Sequence, residues 1–190
     1  MNTRTVKTLR APLAGTSLVL AYAMLLSNPT TVVADGRHQD QPGVLVEKVR
    51  QATAGYRDIN YATQQEGWVQ ATPCVSGPDR GAMGVHLVQP ARLGDGAVNA
   101  NEPEALIYEP QPDGRMRLVG VEYIVFADAW AAAHPDGSTP SVDGHLMHLI
   151  GAPNRYGLPA FYELHVWAWR GNPLGSFANY NTRVTCDHQG

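Results

Sequence analysis

From Val44 onward the apolar positions recur in steps of four and three. Leu45, Val49, Ala52, Tyr56, Ile59 and Thr63 fall on one stripe, while Glu47, Lys48, Arg50, Arg57 and Asp58 lie off it. That period predicts one long amphipathic helix ended by Gly67, and so narrow a stripe suits packing across a sheet.

Beyond Gly67 the pattern changes, because glycine and proline become frequent and the apolar runs shorten, as in antiparallel strands separated by turns. Trp68–Thr72 predicts a short strand, and Cys74–Gly84 an irregular loop. Val85–Val88 reads as a strand ended by Pro90, and Ala105–Glu109 as another. Pro110–Gly114 turns the latter into Met116–Phe126, which is apolar on both faces and so belongs near the centre of a sheet covered on each side. Period two puts Leu118, Glu122, Ile124 and Phe126 of that strand on one face. Asp128–Ala133 predicts a short helix with an Asp cap, and Gly144–Gly151 fits either a strand or a helical turn.

The last strong strand is Phe161–Trp169. Alternation places Phe161, Glu163, His165, Trp167 and Trp169 on one face, and Ala160, Tyr162, Leu164, Val166 and Ala168 on the other. The first face sets two ionisable groups beside large rings, an arrangement that shifts pKa values or holds a ligand. The fold class expected is α+β, with one long N-terminal helix on a mainly antiparallel twisted sheet or partly closed β-barrel.

The residues before this region have their own composition. Arg4, Lys7 and Arg10 precede a mostly apolar run from Ala11 to Leu26, and Val32, Val33 and Ala34 offer a small-residue cleavage site. Residues 1–34 therefore read as a signal peptide, 35–43 as a flexible leader and 44–190 as a single α+β domain, periplasmic or secreted. Removing three cations from 14 leaves 11 against 17 acidic groups, so the formal net charge moves from −3 to −6. Such a balance, without a basic stripe, argues against nucleic acid and against an anionic membrane surface as partners. Export also sets the expectation for Cys74 and Cys186, which should pair in an oxidising compartment.

Candidate chemistry gathers on imidazoles and carboxylates. His86, Glu122, Glu163 and His165 are the preferred metal ligands, with His145 and His148 behind them and Trp167 and Trp169 as pocket aromatics. Two histidines with one or two carboxylates suit zinc, copper or iron, as a binding site or a small metalloenzyme. No spacing here matches a known metal motif. The alternative is a metal-free module that binds a small-molecule ligand or serves structure, stapled by one disulfide. Covalent catalysis is disfavoured, since no serine sits in a Gly-x-Ser-x-Gly turn and paired cysteines offer no thiol.

The runs Gly81–His86, Leu118–Tyr123, Glu163–Trp169, Asn172–Phe177 and Val184–Cys186 resemble those of a group of exported bacterial proteins of unknown function, over nearly the whole mature chain. The resemblance implies a secreted single domain and carries no implication for chemistry.

Overall fold

The structure, a computed structural model, describes residues 43–77 and 79–189. The segment expected to be a signal peptide, residues 1–34, and all of the expected leader except Gly43 lie outside the described residues. Helix α1 spans Val44–Thr53 and runs on into a single 3-10 turn, Ala54–Arg57. It buries Leu45, Val46, Val49 and Thr53.

The long helix expected from the stripe is not formed. The Thr53 hydroxyl turns back onto the Val49 carbonyl at 2.7 Å, and Gly55 follows at a cost of about 1 kcal/mol relative to alanine. Asp58 then takes an extended conformation, with ψ 110°, and its carboxylate accepts from the Asn60 backbone N–H. Such local bonds compete with helix propagation. A π-helical turn, Tyr61–Gln65, resumes the stripe one position out of phase, so that Ala62 is buried and Thr63 exposed.

The strands are β1 (Val69–Gln70), β2 (Val75–Gly77), β3 (Gly81–Val88), β4 (Ala105–Pro110), β5 (Met116–Phe126), β6 (Ser141–Val142), β7 (His145–Leu146), β8 (His148–Ile150) and β9 (Phe161–Val166). Short helices α2 (Pro90–Leu93) and α3 (Ala127–Ala133) follow β3 and β5. One antiparallel sheet of seven strands runs β1–β3–β4–β5–β9–β8, with β2 also on β3, and β6 and β7 form a separate hairpin. The sheet is open, so the barrel expected as an alternative is not closed. Part of Cys74–Gly84, expected to be a loop, is strand.

Each face of the sheet has its own cover. Val85, Leu87, Leu106, Tyr108, Val121, Tyr123, Leu164 and Val166 point to the side of α1 and form the main core with Leu45, Val49 and Trp68. A smaller cluster on the other side joins Ala82, Ile107, Val119 and Trp167 to Val184 of the C-terminal tail. The tail is pinned there by the Cys74–Cys186 disulfide and by a bridge between Ala82 and Asn181.

Two irregularities shift side chains away from their expected faces. Ile107 pairs with Gly120 but Tyr108 with Leu118, so β5 carries a bulge. The extra residue reverses the alternation, and Leu118 joins the core on the α1 side instead of the face of Glu122. Gly120 suits the bulge because a Cβ there would meet the Val166 carbonyl oxygen at 2.8 Å. Strand β9 likewise stops at Val166, three residues short of Trp169. The chain folds back at that point, with Ala168 N–H donating to the Val166 carbonyl. Trp167 stays on the expected face, whereas Trp169 crosses to α1 and donates from its indole N–H to the Thr53 hydroxyl at 3.0 Å.

Candidate metal centre

His86, Glu122 and His165 come from three strands of the sheet and meet on the face opposite α1. Glu122 and His165 are directly paired across β5 and β9. His86 lies on β3, one strand further off, with β4 between. Val88 pairs with Ala105, and Ala105 with Glu122. His86 itself pairs with Ile107, so its imidazole and the Glu122 carboxyl approach on a diagonal across β4, with only a methyl group at position 105 beside Glu122. His86 Nε2 and Glu122 Oε2 are 3.5 Å apart, and the two imidazoles meet edge to face with centroids 5.9 Å apart.

One ligand atom from each of the three lies within 4.8 Å of the other two. All three residues are buried, His165 to 1 %, His86 to 5 % and Glu122 to 6 % exposure. The 3.5 Å separation is close to the edge of about 3.4 Å for a tetrahedron with metal–ligand bonds of about 2.1 Å.

The electrostatics of the cluster follow from burial. Desolvation holds His86 down to about 4 and His165 to about 3, the latter also through the nearby His86, so both imidazoles are neutral and free to donate a lone pair. Glu122 is raised well above the usual carboxylate range, first by burial and then by the charge of Glu163. Glu163 is itself raised by burial and accepts from Asn179 Nδ2 at 2.6 Å.

The two histidines differ in their support. Thr72 Oγ1 accepts from the His86 backbone N–H at 3.2 Å and lies 3.1 Å from His86 Nδ1. A His86 tautomer protonated at Nδ1 donates to that hydroxyl and leaves Nε2 bare toward Glu122, the arrangement by which an outer partner orients a metal ligand. Among the described residues neither ring nitrogen of His165 has a hydrogen-bond partner. An imidazole buried so completely with both nitrogens unpaired costs about 1–3 kcal/mol, and such an exception calls for an explanation.

Beside the cluster is a cavity of about 340 Å³, into which His86 and Glu122 project from the floor. Its walls are apolar, with Val88, Leu93, Ile124, Phe126 and Phe161. The gap between β1 and β2, where Pro73 lacks a backbone N–H, leaves Ala71, Thr72 and Pro73 to form one side. Neither His165 nor Glu163 lines the cavity.

The other residues predicted for the site are placed apart from it. His145 packs its ring on Phe177, with centroids 4.1 Å apart. His148 is exposed on the edge strand β8, paired with Glu163, and its charge opposes the rise of the Glu163 pKa. Trp167 stacks near His165 at 6.2 Å, and Trp169, on the far side of the sheet, lines nothing here. Thr72, Ala105 and Asn179 were not visible as site residues in the sequence. Thr72 and Asn179 lie outside regular strands, where no periodicity marks them, and an alanine carries no chemical signal. No protein family, no curated protein and no solved structure matches the chain.

Proposed function

We propose that the chain binds a divalent transition metal, zinc, copper or iron, through His86, Glu122 and His165. The observation that carries this reading is His165, a fully buried imidazole with no hydrogen-bond partner, set within ligand distance of a second imidazole and a carboxyl. Two neutral imidazoles and one carboxylate are a donor set used by catalytic zinc and by non-haem iron, both of which keep positions open for water or substrate. Two of the three donors, His86 and Glu122, line the cavity. Glu163 and Asn179 act as the outer partners that orient Glu122.

The disulfide supports an oxidising location, periplasmic or secreted, in keeping with the group of exported bacterial proteins that the sequence resembles. Among the described residues no helix is long and apolar enough to cross a membrane.

Elemental mass spectrometry of tag-free protein from its native compartment, with melting curves with and without added zinc or copper, tests the proposal. About one equivalent of metal and a raised Tm are expected, because an ion that binds only the folded state stabilises it. Less than about a tenth of an equivalent of any transition metal, with no Tm shift on adding zinc or copper, sinks it. The cavity favours a second reading, a metal-free module for a small molecule, and that result would leave it standing.

A further inference from the structure

We infer that the cavity takes a small organic anion with an apolar body, the anionic group held at the mouth by Arg155. The inference rests on the reading that the site at His86 and Glu122 is a binding site, and it names the class of organic molecule that enters beside the metal.

The residues sort by depth. Val88 and Phe161 are buried, as are His86 and Glu122, whereas Ala71, Pro73, Arg155 and Leu158 are exposed and form the rim. Five lining side chains carry polar atoms, His86, Glu122, Thr72, Tyr156 and Arg155, and the Tyr156 hydroxyl already donates to Met83 Sδ at 3.7 Å. A ligand rich in hydroxyls would bury those groups against Val88, Ile124 and Phe161 with no partners, at a cost that excludes sugars. An aliphatic or aromatic body gains from the same walls. About 340 Å³ is at the small end of the range for organic ligand sites.

Arg155 decides the charge. It is the one cationic side chain lining the cavity among the described residues. Its guanidinium lies 5.7 Å from the Tyr156 ring centroid and donates to the Tyr180 hydroxyl at 3.2 Å, two contacts that hold the head in place. Among the described residues no carboxylate lies within ion-pair distance of it. A positioned guanidinium with unused donors pairs with a carboxylate in a two-pronged bond that neither an alcohol nor an amine can make.

Calorimetric titration of the full chain, both metal-free and zinc-loaded, with octanoate, octanol and octylammonium tests this. Octanoate should bind at least about tenfold more tightly than octanol, and octylammonium most weakly, a ratio that corresponds to one charge-assisted contact. Arg155→Gln should abolish the preference for octanoate while leaving octanol affinity unchanged. Ala71→Trp, at the exposed rim, should block all three, with the melting temperature of each variant confirming the fold. Equal affinities for the three, a preference retained in Arg155→Gln, or binding of none of them to either form would overturn the inference. Zinc uptake is read separately in the same samples. Octanoate selectivity without zinc uptake would refute the metal and keep the anion, and zinc uptake without selectivity would do the reverse.

Discussion

Glu122 and His165 face each other directly across the β5–β9 ladder, whereas Glu122 and His86 meet on a diagonal over an intervening strand, β4, where Glu122 pairs with Ala105 and His86 with Ile107. The backbone therefore sets the width of the site, with little left to side-chain flexibility. Buried donors on strands are more precisely held than donors on loops.

His165 should be a liability to the metal-free protein. His165→Leu fills a similar volume and removes two unpaired buried nitrogens, so denaturant unfolding should show metal-free stability raised by about 1–3 kcal/mol. The same variant should lose the zinc-induced rise in Tm. Unfolding at lower denaturant than wild type would show that His165 has bonds in solution that account for its burial.

One residue away, Leu164 projects into the core on the α1 side with 3 % exposure. Leu164→Ala should lower stability by about 2–5 kcal/mol through the cavity it leaves. Metal bound per folded molecule should be unchanged, as measured by elemental analysis after gel filtration. Loss of metal at full folding would mean that the two faces of β9 are not independent.

Glu104 gives the pH dependence. Its carboxyl accepts from the Ile124 backbone N–H at 2.9 Å, beyond the end of the β4 pairing, and burial pushes its pKa from 4.5 to about 8. The folded state thus binds more protons than the unfolded between these values, so this contribution is complete below about 4.5 and is lost as pH rises toward 8. His86 and His165 act in the opposite sense. Their folded values of about 4 and 3 lie below the ordinary 6.5, so their contribution is complete above 6.5 and is lost as pH falls. Glu104→Gln keeps the acceptor and removes the titration. Melts of metal-free protein between pH 6.5 and 8 should show wild-type stability falling by roughly 1 kcal/mol per pH unit more than the variant's. Parallel profiles would count against it.

The disulfide closes a loop with a sequence separation of 112. Alkylation without reductant should label neither cysteine, and Cys186→Ser should cost about 2–5 kcal/mol. Chemical denaturation with and without reductant gives the same comparison on the unmodified chain.

What the sequence made legible was local. A spacing of two residues put Glu163 beside His165 and Glu122 beside Ile124, and both pairings hold because no bulge interrupts those short runs. Leu118 and Trp169 were misplaced where a bulge and a strand end broke the alternation, and neither Gly120 nor Ala168 announces such a break by itself. Bringing His86 to the same centre depends on strand order, which periodicity does not encode. The helix was overextended because its apolar stripe continues through residues 58–60, where side-chain bonds to the backbone end the helix.

Cys74 is two residues from Thr72, whose hydroxyl lies 3.1 Å from His86 Nδ1, in the break between β1 and β2. The covalent link to the C-terminal tail anchors this segment beside its bonds to β3. The bond that ties down the tail and the hydroxyl beside the His86 ring thus sit on one three-residue segment, 72–74.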